Sequence, residues 1–572
     1  MLNLNGKTEK NPVFWNWLVV LVLLAILAGC AAEKYSAAAD KEVYGILNDR
    51  RASILGATNQ FNIETHFSKR DPQDVNGSEI VLDRYRGGKR VLTLNEALEL
   101  AVKANRTYQN NREKLYLQAL SLTGTRHQFA LKFTKASADL GLERGTDGGI
   151  KGDSDVDITL QKMFRTGGVI TATLANDLVL YFDGKKPKVP ALTLSLTQPL
   201  LRGAGAEIAA EILTQAERDV IYEVRTFSHY QKEFAVEVVN SYVDLLQQGE
   251  SMRLSYINYT NKIYFSKEVD ARVNAGLQSE FEAKQAKQSE FSAKLSYIGS
   301  TNTYQNSLDD FKQKLSLPLG TGIKLDFKAL DDLNAMGLPE VQVSDRVGYR
   351  LAITNRLDLL NVIDQFEDSK RKVRVAKKDL LPSLSIVADA ELRDQYYSSF
   401  QPEEFKSSAG LKLDLPLDQL SERNAYRTSI ITFERQLRTL ATELDKLRDG
   451  VRTDVRNLSR LRQNYFTQLD AMKNAEENLI ATRQRLRLGF PGVRTRDILT
   501  AQDQLLQAQL AVSRAMVDYH KTRLKLLKDV GILDITQDDF WLKATSVPGA
   551  AGPGPPAGGL QDVIPPEQIL GQ

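Results

Sequence analysis

Cysteine is almost absent: the 572-residue sequence holds one, Cys30, which excludes an intramolecular disulfide and a multi-cysteine metal site. Histidine is nearly as scarce. The four, His66, His127, His229 and His520, lie far apart, so their spacing gives no basis for a His-rich catalytic metal centre. A dominant charge is missing too: 75 Lys and Arg stand against 72 Asp and Glu, a net of +3, which offers nucleic acid no electrostatic support. Long hydrophobic runs are confined to the amino terminus. Beyond it no segment approaches the ~18 apolar residues of a transmembrane helix, so any crossing of a bilayer falls to strands.

The amino-terminal run extends from Phe14 to Leu27, broken only by Asn16 and preceded by Lys7 and Lys10. It is too short for a permanent membrane helix and reads as an export signal over residues 1–29. Its end, Leu27-Ala28-Gly29-Cys30, resembles the lipobox of bacterial lipoproteins. That resemblance implies lipidation of Cys30, cleavage before it, and sorting of the chain to the outer membrane, because Ala31 rather than Asp follows. Residues 30–90 carry mixed short signals, including Asp71-Pro72 and Gly87-Gly88, and are expected to form an extended leader packed on the outside of the body.

From Leu92 the pattern turns helical, with Thr93 as N-cap, Glu96 as its capping-box partner, and an apolar face of Leu94, Ala97, Leu98, Ala101 and Val102. The chain then repeats itself. Leu100 to Arg106 matches Leu351 to Arg356, and Arg272-Val273-Asn274-Ala275-Gly276 corresponds to Arg485-Leu486-Arg487-Leu488-Gly489. The expected organisation is repeat one over 91–320, a linker over 321–342, repeat two over 343–535, and a C-terminal segment over 536–572. The last of these ends in a Pro/Gly-rich tail read as disordered. Between the pre-strand helix and the proline that opens the next long helix, repeat one has 71 residues (129–199) and repeat two 35 (382–416), so repeat one carries about one additional hairpin.

Inside those intervals apolar residues alternate with polar ones. Leu384, Ile386, Ala388, Ala390 and Leu392 form one run and Ala409, Leu411, Leu413, Leu415 and Leu417 its partner. Repeat one supplies Ala136, Ala138, Leu140 and Leu142, then Val156, Ile158 and Leu160, then Ile170, Ala172 and Leu174, then Leu192, Leu194 and Leu196. Each run is near the ~10 residues that cross a bilayer as a tilted strand, although a soluble sandwich would alternate in the same way. The flanking segments run in sevens. Ile498, Leu505, Val512, Tyr519 and Leu526 mark one stripe and Leu499, Leu506 and Leu527 a second. Val220, Val224, Phe227, Phe234, Val238 and Leu245 make a seam in repeat one, joined from Ala235 by Val239, Tyr242 and Leu246. Two stripes per helix call for two neighbours, as in a ring of helices. From Leu200 to Gly276 the first long helix would reach about 110 Å.

The lipobox, the two repeats of helix, strands and long helical hairpin, and Gln198-Pro199-Leu200-Leu201-Arg202-Gly203 ahead of the long helix together resemble the TolC-type outer-membrane efflux protein family, over residues 90 to 535. The family's tip pattern appears as Arg272, Val273, Gly276, Ser279 and Glu282. In repeat two it appears as Arg485, Leu486 and Gly489, with two additional residues before Asp497; neither repeat has the family's tyrosine. The resemblance implies an α+β membrane protein: a trimeric transmembrane β-barrel continuous with a long periplasmic α-helical coiled-coil barrel. Strand count supports the homotrimer that the resemblance implies to this extent: four to six strands are fewer than the ~8 a transmembrane barrel needs, so copies of the chain must pool their strands. Four per chain would give twelve, and the place of the additional hairpin stays open.

By the same resemblance the chain is the passive exit duct of a tripartite efflux or type I secretion-like system, partnered by a periplasmic adaptor and an inner-membrane transporter. An acidic ring would constrict the periplasmic entrance, with Asp497 in the matching position and Glu282 its repeat-one counterpart; a ring of carboxylates favours cations. The family's second acid is replaced by Thr500, with Asp503 one turn further. The alternative for Asp497 is a helix N-terminal acid complementing the macrodipole. Arg272, Gly276, Ser279, Arg485 and Gly489 are candidate adaptor contacts, or simply turn residues, the glycines taking positive φ. His520 lies in a packing stripe and reads as a seam residue. Arg202 to Ala206 lacks the Gly-Lys-Ser/Thr ending of a phosphate loop. No convergent catalytic groups, metal site or cofactor motif stand out, so an enzyme is not expected. The competing reading is a lipid-anchored periplasmic coiled-coil protein without a channel.

Overall fold

The computed structural model describes residues 32–543 except 57–58, 86–87, 145–149, 182–190, 342, 394–403, 491 and 538. The export signal, Cys30, Ala31 and the Pro/Gly-rich tail lie outside the described residues. In chain order the elements are α1 (Ala32–Leu55), a 3-10 turn (Pro72–Asp74), α2 (Gly77–Tyr85), β1 (Lys89–Leu92), α3 (Leu94–Ala104), α4 (Arg106–Gln128), β2 (Leu131–Arg144), β3 (Ile150–Met163), β4 (Val169–Tyr181) and β5 (Ala191–Pro199). There follow the short α5 (Ala206–Ala209), α6 (Glu211–Asn274), α7 (Glu280–Lys314), β6 (Gly322–Leu325), α8 (Lys328–Met336), α9 (Asp345–Asn355), α10 (Leu357–Lys378), β7 (Ser383–Arg393), β8 (Glu404–Asp414), α11 (Leu420–Arg487) and α12 (Thr495–Asp529).

The chain divides into two compact units. One comprises Met1–Glu64, Arg112–Val224 and Arg371–Ser429; the other comprises Thr65–Asn111, Arg225–Lys370 and Ile430–Gln572. The first holds a six-stranded antiparallel sheet in the order β2-β3-β4-β5-β7-β8, so all four strands of repeat one, the additional hairpin included, join the two strands of repeat two. Backbone register aligns the side chains in rows. Ala136, Ile158, Leu174, Leu192, Leu392 and Phe405 are successive partners across all six strands, and so are Lys135, Thr159, Thr173, Thr193, Glu391 and Lys406. Because side chains alternate along a strand, the first row lies on one face and the second on the other: one face is apolar, the opposite one polar and charged. β8 ends at Asp414, so Leu415 and Leu417, expected within the strand, lie beyond it.

In this unit residues 32–55 of the leader pack against α4. Residues 32–55 are a helix where an extended segment was expected. Val43 and Leu47 are fully buried, and the Tyr116 hydroxyl donates to Asp40 Oδ1 at 2.6 Å. Alanine-rich composition and an apolar stripe of Val43, Ile46 and Leu47 favour the helix there, a signal outweighed in the sequence by the Pro and Gly residues that follow.

In the second unit the parallel pair β1 and β6 joins residues before repeat one to the inter-repeat segment, which holds a strand and helix α8 rather than a bare linker. The buried Tyr242 hydroxyl donates to the carbonyls of Leu92 and Asp326, at 2.8 and 3.0 Å, and so pins the ends of both strands. Thr93 caps α3 with Glu96 in a complete capping box; Leu94, Ala97 and Ala101 are buried while Val102 is exposed. One core cluster gathers Ala352, Leu359, Leu447, Val451, Leu458, Leu461, Tyr519, Leu526 and Val530, and another gathers Phe265, Val269, Ala286, Ile498 and Leu499. Residues of both seven-residue stripes are buried: Ile498, Tyr519 and Leu526 of one, Leu499, Leu506 and Leu527 of the other. Helices α6 and α11 have 64 and 68 residues, and each is followed by a 35-residue helix. α6 starts at Glu211 and not at Leu200, because Gly203 and Gly205 take φ of 74° and 95°, which interrupts helical geometry.

Candidate functional site

Two regions carry the candidate residues. In the second unit the two helical hairpins turn by the same device. At the end of α6, the Leu277 amide donates to the Arg272 carbonyl and the Gly276 amide to that of Val273, both at 2.9 Å. At the end of α11, Phe490 donates to Arg485 at 3.1 Å and Gly489 to Leu486 at 3.3 Å. Both are Schellman caps, closed by a residue in left-handed conformation, and Gly276 and Gly489 have φ of 72° and 68°. The glycines are required by backbone geometry. Arg272 and Arg485 contribute backbone carbonyls at equivalent positions of the two caps.

The following helices start alike. Ser279 caps α7, and its amide donates to Glu282 Oε2 at 3.3 Å; the Arg494 amide donates to Asp497 Oδ2 at 2.9 Å. Glu282 and Asp497 are therefore equivalent third residues of their helices, each satisfying an otherwise orphaned amide and facing the positive end of the helix dipole. They differ in their second oxygen. Glu282 Oε1 accepts from the Thr495 hydroxyl at 3.2 Å, whereas Asp497 has no such cross-tip contact among the described residues. Gln278 also donates to Thr495 Oγ1, at 3.2 Å, and Arg272 reaches the Leu486 carbonyl at 3.5 Å while pairing with Glu268 at 2.9 Å. Gly276, Ser279, Arg485 and Gly489 are exposed; Arg272, Glu282 and Asp497 are half-buried.

Asp503 is not a free carboxylate. It lies 3.0 Å from the fully buried Lys262 ammonium, which also donates to the Leu499 carbonyl at 2.8 Å. Lys262 and Thr495 were both missed in the sequence. A lysine among the apolar residues Leu254, Phe265 and Val269 is the available signal, whereas a threonine just inside a helix start is too common to single out.

The other region is the sheet. Its polar face carries Lys135 paired with Asp157, and a Thr159–Thr173 hydroxyl contact at 3.4 Å. Among the described residues no helix is long and apolar enough to cross a membrane, and no three potential metal ligands cluster. His520 is buried against Tyr519 at 5.7 Å between ring centroids, within the core of its unit.

This combination of an amphipathic antiparallel sheet and paired long helical hairpins is the fold of outer-membrane channels. Solved structures with it include the CmeC outer membrane channel of Campylobacter jejuni (TM-score 0.55, 15% identity, 77% of this chain and 85% of that one). The MtrE outer membrane channel of Neisseria gonorrhoeae gives TM-score 0.56 at 12% identity, over 77% and 89%, and the outer membrane protein VceC of Vibrio cholerae 0.54 at 14%, over 77% and 96%. Residues 348–531 match the family model described as outer membrane efflux protein, so the resemblance to the TolC-type efflux family holds by sequence in repeat two and by fold across most of the chain. No curated protein sequence matches this one.

Proposed function

We propose that three copies of this chain form the outer-membrane exit duct of a tripartite efflux or type I secretion-like system. The duct conducts passively; an inner-membrane transporter supplies the energy, and a periplasmic adaptor docks at the helical tips through the exposed surface around Arg272, Gly276, Ser279, Arg485 and Gly489. One observation carries the reading: the six strands expose an apolar row on one face and a polar row on the other, with two open edges. In lipid an open edge leaves backbone groups unpaired, and six strands are fewer than the ~8 of the smallest transmembrane barrel, so chains must pool their strands around a polar lumen. Acylated Cys30 anchors each chain in the outer membrane, at about 0.8 kcal/mol per buried CH₂. At the periplasmic end three copies of Asp497 form the acidic constriction. Glu282, held by Thr495, contributes less to it.

The test is protease protection in intact outer membranes. Residues 383–393 are expected to resist cleavage until the membrane is dissolved and the protein unfolded. Ready cleavage in intact membranes would favour the channel-free periplasmic coiled coil.

A further inference from the structure

We infer that the outermost strands β2 and β8 are the surfaces through which neighbouring copies of this chain join, so that the closed wall has eighteen strands and the additional hairpin of repeat one is part of it. This rests on the trimeric duct proposed above.

The edges are open. Every described residue of β8 is exposed, with Phe405, Leu411 and Leu413 at 65%, 71% and 56%, whereas β5 and β7, flanked on both sides, are mostly half-buried. On β2, Leu131 and Phe133 are 63% and 71% exposed. The additional hairpin is no loose flap. Strands β3 and β4 pair without interruption from Lys151↔Tyr181 to Met163↔Val169. Their turn is also clamped: the Gly205 amide donates to the Thr166 carbonyl at 3.2 Å, and a Cβ on Gly167 would come within 2.6 Å of the Gly203 carbonyl oxygen.

The duplication supplies the joint. Within the chain, the last strand of repeat one, β5, pairs with the first of repeat two, β7. The matching joint, the last strand of repeat two with the first of repeat one, is not made among the described residues of the chain, and a second copy provides it. Repeat equivalence also sets the register. Asn105 corresponds to Asn355, and the last residue of α4, Gln128, to the last of α10, Lys378, at the same offset, which places Ala138-Asp139 on Ala388-Asp389. Pro199 corresponds to Pro416. Transferring the observed Pro199↔Ser385 register to the open edges then sets Asp414 opposite Ser137, Leu413 opposite Ala138 and Lys412 opposite Asp139. Apolar positions meet apolar ones, and a lysine meets an aspartate. Six strands that alternate in direction leave β8 antiparallel to β2 of the next copy, as closure requires. Because barrel diameter grows roughly in proportion to strand number, the outward mouth is about one and a half times as wide as four strands per chain would make it, in the range of porins.

The experiment places Ser137→Cys with Asp414→Cys, and separately Asp139→Cys with Lys412→Cys, in the full-length lipoprotein. Outer membranes are oxidised and run without reductant. Directly opposed ladder residues have Cα separations suited to a disulfide, so a covalent trimer is expected from each pair and from neither single variant. The pairs Thr171→Cys or Thr173→Cys with Asp414→Cys would link β4 to β8; a trimer from these, with none from the first two, would overturn the inference and restore a twelve-stranded wall. The mass of the untreated detergent-solubilised protein separates the two levels. If it is not a trimer the duct reading itself fails; if it is a trimer and neither β2–β8 pair links, the eighteen-stranded wall alone is wrong.

Discussion

Glu282 and Thr495 tie the first helical tip to the second: Glu282 Oε1 accepts from the Thr495 hydroxyl at 3.2 Å, and Thr495 is fully buried. The two helical turns are thereby joined by a hydrogen bond, so loosening one is expected to loosen the other. Thr495→Val keeps the volume and removes the hydroxyl donor, at an expected cost of about 1 kcal/mol. Hydrogen exchange should accelerate at both 275–282 and 488–495. Acceleration confined to the second segment would show that the tie carries no load.

Asp497 has two roles that substitutions can separate. Asp497→Asn keeps a side-chain acceptor for the Arg494 amide but removes the charge, so it should lower cation selectivity with little loss of stability. Asp497→Ala should do both, costing about 1 kcal/mol at the start of α12. Equal selectivity in native protein and Asp497→Asn would remove Asp497 from the gate and leave it a cap.

The Lys262–Asp503 pair is asymmetric, with a buried ammonium and a largely exposed carboxylate. Burial pushes Lys262 below the usual lysine range, and Asp503 counteracts that. Asp503→Asn strands a buried charge and should destabilise by about 1–2 kcal/mol, less than a fully buried pair because water reaches the acid. Lys262→Met removes the charge with its desolvation cost and should lie closer to native. Urea denaturation of both variants decides; a larger loss for Lys262→Met would mean the Leu499 carbonyl contact dominates.

His520 makes stability depend on pH. Burial, followed by the nearby Arg523, pushes its pKa from 6.5 down to about 4. The unfolded chain therefore takes up a proton that the folded one refuses. Stability is undiminished above pH 6.5, falls as pH drops from there toward about 4, and the full linkage is on the order of 3 kcal/mol. His520→Leu should flatten the stability profile over that window. An unchanged profile would assign the acid sensitivity elsewhere.

Much of this architecture was legible because the chain says it twice. The tip glycines, the capping acids and the strand pairs could be read from repeat against repeat, and alternation placed the strands near their observed positions. Other features depend on distant partners. The leader helix is held by Tyr116 and Asp40, 76 residues apart, and the β1–β6 pair joins segments more than 200 residues apart, so neither leaves a local pattern. The Leu-rich segment from Leu200 hides the true start of α6 at Glu211, which Gly203 and Gly205 set. The attachment of Asp503 to Lys262 was invisible for the same reason as the others: a lone lysine in a seam declares burial, not its partner.

The central claim is that this chain conducts. Single-channel recording of the purified protein in a planar bilayer tests it most directly, with the native chain beside Gly276→Ala/Gly489→Ala, which strains both left-handed turns and loosens the tips. The account predicts stable, cation-selective conductance, larger or more often open in the loosened variant. Folded trimers that fail to conduct in both forms would contradict it and leave an anchored periplasmic coiled coil.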